Sequence, residues 1–189
     1  MLDLKPFIAR TSLMKASVYI GTSLDGFIAR EDGDIDWLMK FADDNAVRAY
    51  HEFIAGIDAI VIGRGTYEKV LTFPQWPYDK EVFVLSSSMT ELPAGAGGRA
   101  TLLSMPPREV LDHLAGLGLE SAYIDGGKVI QAFLNEDLID ELIIAKIPVL
   151  IGGGISLFGD LSRDLEFTHI RTTIAPNGLV RSYYQRQFP

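Results

Sequence analysis

Cysteine is absent from the 189 residues, and histidine occurs three times. The first absence excludes disulfides, thiolate-bound zinc and cysteine nucleophiles. His51, His113 and His169 fall in unrelated stretches and form no pair at i and i+4, so no metal centre is expected. Basic side chains are the next shortage: 17 Lys and Arg against 25 Asp and Glu leave a formal charge of −8. That balance argues against nonspecific nucleic-acid binding, which depends on displacing counterions from phosphates. Small anionic ligands stay open, because a few backbone amides hold a phosphate locally. No apolar run reaches the roughly 20 residues that cross a bilayer, so no membrane partner is expected. The leading "MLDLKPFIARTSL" lacks the apolar core of a secretion signal. Residues 1–13 read as an N-terminal extension, residues 14–189 as a single domain, and the protein as cytoplasmic. Neither a G-x-S-x-G elbow nor a P-loop lysine pattern occurs.

What is present is a dispersed apolar content of 48%, enough for one substantial core. Apolar runs bounded by turn residues mark buried strands at Val18–Ile20, Ala59–Ile62, Val82–Leu85 and Ala122–Ile124. Helical spacing appears between them. Val47, Tyr50 and Ile54 stripe residues 45–55, and a second helix is expected to start near Thr66 as its cap. A third follows Pro106-Pro107, where proline suits a helix opening, and a fourth follows Gly126-Gly127. The alternation predicts an α/β domain with a mainly parallel sheet. Residues 139–147, 165–174 and 179–188 look extended, and Asn177-Gly178 between the last two is a hairpin signal. The sheet should therefore end in an antiparallel C-terminal hairpin.

Ligands of open α/β sheets bind beyond the carboxyl ends of the strands, so the loops there are the candidate sites. "GTSLDGFIAREDGDIDWL", residues 21–38, is long and acidic and encloses Phe27 and Trp37. An acid beside Trp37 would have a raised pKa and suit proton donation. "VIGRGTYEKV" ends a strand on two glycines and opens a helix whose dipole, with Arg64, suits a phosphate. Glu68 stands where a Rossmann fingerprint needs its third glycine, and alone this stretch reads as a structural corner. "VLSSSMT" offers three serines after a strand, or simply an exposed turn. "DGGKVIQAFL" places Gly126-Gly127 before a helix, and "IGGGISLFGD" reads as a bulge or crossover turn.

Taken in order, "SLDGFIA", "IGRGTYE", "VLSSS", "DGGKVIQAFL" and "DELIIAKIPVLIGGGISLF" resemble the dihydrofolate reductase superfamily. The resemblance is strongest to the branch of the C-terminal reductase domain of the riboflavin-pathway enzyme, and it runs from about Met14 to Phe188. It implies the three-layer dihydrofolate reductase-like fold and NADPH along the carboxyl edge of the sheet. By position, Gly63, Arg64, Gly65 and Thr66 would line the adenosine phosphates, with Ser86, Ser87 and Ser88 near the 2′-phosphate. Gly126, Gly127, Lys128 and Val129 would hold the pyrophosphate, with Asp125 facing away from it. Ser23, Leu24 and Asp25 would flank the nicotinamide ribose. Many relatives carry an arginine in the third motif where this chain has Ser87 and Ser88, which leaves NADH as the alternative cofactor. The W-x-L-P-x-D pattern of dihydrofolate reductases proper is missing, so folate reduction is not implied. Asp36, or Asp34, aligns with the substrate carboxylate. The resemblance thus implies an NAD(P)H-dependent reductase of a small heterocyclic, pterin- or pyrimidine-like, or carbonyl substrate. Relatives commonly pair as homodimers. The rival is a non-catalytic nucleotide-binding module, and without cysteine the chain holds no zinc deaminase domain.

Overall fold

Each apolar run lies inside a strand that extends beyond it, most of all the first. In chain order the strands are β1 (Lys15–Thr22), β2 (Phe27–Ala29), β3 (Ala59–Gly63), β4 (Glu81–Leu85) and β5 (Ala100–Leu103). They continue with β6 (Ser121–Asp125), β7 (Glu141–Lys146), β8 (Ile155–Ser156), β9 (Phe167–Ile174) and β10 (Val180–Arg186). The helices are α1 (Asp36–Met39), α2 (Asp44–Ala55), α3 (Arg64–Val70), α4 (Pro107–Gly116) and α5 (Gly127–Asn135). The computed structural model describes residues 14–93 and 99–188, so the expected extension over 1–13 lies outside it.

Eight strands form one sheet in the order β5-β4-β3-β6-β1-β7-β10-β9. The pairs from β5 to β7 are parallel, and β10 runs antiparallel to both β7 and β9. The expected architecture is therefore the observed one. Both faces of the parallel part are covered, which is why its strands read as continuous apolar runs. On one face Val18, Val61, Phe83 and Ile124 join Val110, Leu111 and Leu114 of α4 and Ile130 and Phe133 of α5. On the other, Ile60, Ile62, Val82, Val84 and Tyr123 join Tyr50 and Phe53 of α2 and Tyr67 of α3. Strand alternation thus sends Tyr123 and Ile124 to opposite layers.

Several boundaries differ from the sequence expectation. The α3 helix opens two residues early, at Arg64 with Gly63 as N-cap, so Thr66 sits in its first turn and caps nothing. Its hydroxyl instead stands where a side chain on Gly126 would go. The hairpin at Asn177-Gly178 closes through the longer loop 175–179, in which the Ala175 amide donates to the Leu179 carbonyl at 2.9 Å. The glycine cluster at 152–154 leads into β8, which pairs with β2 outside the main sheet.

The start of α2 is tied to that hairpin loop. Asp43 Oδ1 accepts the Ala46 amide at 2.9 Å, and its Oδ2 accepts from Asn177 Nδ2 at 3.0 Å. The same Asn177 amide group donates to the Phe41 carbonyl at 3.2 Å. Asp43→Ala should lower the unfolding free energy by about 1–2 kcal/mol, a cap and a side-chain bond together. Urea denaturation reads this directly, and a change within error would mean the tie is not made in solution.

Candidate active site

The loops after β1, β3, β4 and β6 all leave the same edge, because these strands run parallel. Two of them meet closely. Ile62 of β3 is in register with Asp125 of β6, so α3 and α5 start side by side. Gly126 has φ +95, a conformation that side chains disfavour, and a Cβ there would lie 2.6 Å from Thr66 Oγ1. A Cβ on Gly63 would lie 2.9 Å from Val129 Cγ2. These glycines let the two corners approach each other, whereas nothing crowds Gly65.

Helix α5 opens with Gly126 as N-cap, and the Ile130 amide makes the first intrahelical bond, to the Gly126 carbonyl at 2.9 Å. The amides of Gly127, Lys128 and Val129 precede that bond and have no partner inside the helix. Asp125 does not face away from this corner as expected: its Oδ1 accepts the Gly126 amide at 2.8 Å, so a phosphate here would meet three amides, not four. Lys128 is exposed at this end and adds a cation.

The third motif gathers beside α3. Ser86 is buried, and its Oγ accepts the amides of Ser88 at 3.3 Å and Met89 at 3.1 Å. Ser88 Oγ lies 3.4 Å from Arg64 Nη1, while Ser87 is exposed. An arginine from one loop therefore reaches the serines of the next. Three unpartnered amides, an exposed lysine and an arginine beside a hydroxyl suit the anionic parts of a nicotinamide dinucleotide. The residues fit that group.

In the first loop Ser23 is buried and accepts the Phe27 amide at 3.0 Å, while Leu24 is exposed. Asp25 points into the glycine cluster, accepting from the amides of Ile151 at 3.3 Å and Gly152 at 2.8 Å. Asp36 is exposed in the first turn of α1, and its amide donates to the Asp34 carboxylate at 3.3 Å. Asp34 also lies 3.6 Å from Arg30. Trp37 itself is buried against Ala145, Ile147 and Leu179.

A further acid emerges at the end of β6. Asp125 shares its face with Tyr123, and burial pushes its carboxyl up to about 6 against the pull of the Gly126 amide. Burial also raises the Tyr50 phenol to about 12, with the Asp125 charge adding to it. Tyr78 and Tyr123 are raised for the same two reasons. The Tyr123 hydroxyl donates to the Tyr19 carbonyl at 2.9 Å, which fixes its ring beside the acid. Trp76 lies edge-on to Tyr78, with ring centres 5.6 Å apart. A carboxyl pushed up to about 6, on the same face as Tyr123, keeps part of its protons into the neutral range and is equipped for proton transfer. Strand parity was the signal for it: Asp125 is two residues from Tyr123 and so on the same face.

Residues 16–180 match the family model of the RibD C-terminal domain. The chain is 38% identical to YwjB of Bacillus subtilis (strain 168) over 154 residues, 79% of this chain and 86% of that protein. Among solved structures it resembles a putative riboflavin biosynthesis protein from Shewanella sp. PV-4, at TM-score 0.86 and 41% identity over 93% of this chain and 100% of that one. Dihydrofolate reductase of Enterococcus faecalis, solved with NADP(H), shares the fold at TM-score 0.69 and 17% identity over 94% of this chain and 98% of that one. Across nearly its whole length, then, the chain belongs to the RibD C-terminal domain family, on a dihydrofolate reductase-like fold.

Proposed function

We propose that the protein is an NADPH-dependent reductase of a small heterocyclic, pterin- or pyrimidine-like, or carbonyl substrate. One observation carries the reading: the open amide N-terminus of α5 adjoins an acid of raised pKa held among tyrosines. NADPH, when bound, would supply the hydride. Gly127, Lys128 and Val129 would bind its pyrophosphate through their amides, and Arg64 with Ser86, Ser87 and Ser88 would take the adenosine end. Gly63, Gly65 and Thr66 would line the phosphates between these two sets. Ser23, Leu24 and Asp25 would border the nicotinamide ribose.

Asp125, we infer, holds the proton that the reduced substrate takes up, with Tyr50 and Tyr78 excluding water around it. Asp36 and Asp34 are the alternative acids at the outer rim. We place the protein in the cytoplasm as a homodimer, the pairing supported by Ile170 and Ile174, which are exposed on the edge strand β9.

Titrating the protein with NADPH while following cofactor fluorescence should give saturable binding, weaker for NADH. Oxidation of NADPH should follow with some member of a panel of pterins, pyrimidines and carbonyls. Binding without oxidation would make the chain a nucleotide-binding module. Absence of binding would end the reductase reading altogether.

A further inference from the structure

Arg181 is a buried charge without a counter-charge. It lies on β10 and is 7% exposed, yet among the described residues no carboxylate pairs with it. Its Nε is fully enclosed and donates to nothing. Arg186, buried on the same strand, is by contrast gripped by Asp137 at 2.6 Å. An unpaired interior cation costs stability that a partner from outside the chain would restore.

Strand register puts this cation at the ligand edge of the sheet. Arg181 is paired with Ala145 of β7, and Ala145 with Gly21, one residue before β1 ends and the first loop leaves. Paired residues share a face, so Arg181 projects on the side of Tyr19 and α2. Leu38 takes the space above Gly21, where a Cβ would lie 2.6 Å from its Cδ1, and Trp37 packs on Ala145. The guanidinium turns to Tyr19, its carbon 5.7 Å from the centre of that ring. Tyr19 in turn stacks on Phe53 at 5.0 Å and meets Tyr50 edge-on at 5.7 Å. Burial raises the Tyr19 phenol, and the Arg181 charge beside it pulls the other way. Tyr50 also feels the charge of Asp125, so one layer of tyrosines carries an acid and a guanidinium. These two form no ion pair, and neither neutralises the other. A second enclosed donor borders the same row: Trp37 Nε1 also has no acceptor. Two orphaned N–H groups beside Ala145 call for an oxygen that the chain does not supply.

We propose that Arg181 binds an ionised carboxylate on the substrate, which narrows the substrate class to planar acids. The assignment to a substrate rests on the reductase reading above. A guanidinium forks onto a carboxylate through two parallel bonds, and the pairing offsets the cost of burying its charge. The ring of such an acid lies along Tyr19 and Tyr50, with Asp125 beyond it.

Rings with and without the acid test this without turnover. Orotate and uracil make one matched pair, pterin-6-carboxylate and pterin another, and calorimetry follows their binding in the absence and presence of NADP+. In at least one pair the acid should bind about tenfold more tightly or better. Arg181→Met should abolish that preference and leave the neutral ring within about twofold, while Arg181→Lys keeps part of it. Equal binding of acid and neutral ring in both pairs would overturn the proposal, and so would a preference that survives Arg181→Met. Stability gives an independent readout. Methionine keeps the apolar stem and carries no charge, so Arg181→Met should melt about 2–4 °C above wild type. Melting at the same temperature or lower would mean that the fold itself holds the cation, and would overturn the proposal. Failure of the wild type to bind NADPH would instead remove the reductase reading, and the probe affinities would still judge the acid site.

Discussion

Asp125→Asn is expected to cut kcat/KM by about 100-fold or more and, at the same time, to stabilise the protein above pH 6. The two effects have one cause. Burial raises the carboxyl from its ordinary 3.8 to about 6, so the fold disfavours the ionised form. For an acid raised in this way, the stability contribution is complete below the unfolded value. It declines as pH rises from about 4 to about 6 and is fully lost above. Two pKa units correspond to about 2.7 kcal/mol, which partial exposure of the group reduces to about 1–2. Asparagine keeps an oxygen for the Gly126 amide and carries no charge to bury. Urea unfolding should therefore find wild type and variant nearly equal at pH 4, with the variant more stable at pH 8. A variant less stable at pH 8 would show that the ionised carboxylate is held by the fold and not merely tolerated.

The kinetic half separates the candidate acids. If the Asp125 proton is delivered in turnover, wild-type kcat/KM falls about tenfold per pH unit above pH 6, and the variant lacks that limb. If Asp36 or Asp34 does this work, the loss follows Asp36→Asn or Asp34→Asn, and Asp125→Asn leaves turnover near wild type. Retained activity with raised stability would mean that Asp125 is a strained acid without a catalytic part.

The sheet was legible because its signals are local. Ala59–Ile62 and Ala122–Ile124 are apolar throughout, which is what burial on both faces demands, and the helices after them carry apolar stripes. Elements that depend on distant partners were not legible. Phe27–Ala29 is a strand because Ile155 and Ser156 lie beside it, more than a hundred residues away in the chain. Ala100–Leu103 is four residues at the sheet edge, with no apolar run to announce it. The four residues of α1 are too few to show a period. The acid of the site illustrates the same limit. Asp125 reads locally as a charge beside a phosphate loop. Its pKa is raised by burial, and the phenols its charge acts on include Tyr50 on α2 and Tyr78 after α3, which no spacing within "DGGKVIQAFL" conveys.

Gly126→Ala should be the most damaging single change in the glycine corners, and the reason is steric before it is functional. At φ +95 a side chain costs about 1–3 kcal/mol of backbone strain, and the new Cβ would overlap Thr66 Oγ1 at 2.6 Å. Together these should lower the unfolding free energy by about 3 kcal/mol or more. Thr66 cannot easily yield, because it belongs to the first turn of α3 next to the fully buried Tyr67. Thr66→Ala removes the overlapping oxygen and leaves its Cβ at 3.7 Å from the new methyl, an ordinary contact. The double variant should recover the steric part, about 1 kcal/mol or more, and keep the strain. Additive losses in that cycle would place the damage in the backbone alone and unlink the two corners. Cofactor binding by the double variant then divides structure from function. If the corners serve only to let β3 and β6 lie side by side, binding returns along with stability. If the amides after Gly126 hold the pyrophosphate, binding stays weak, because a strained N-cap turns those amides away from the ligand whatever Thr66 becomes.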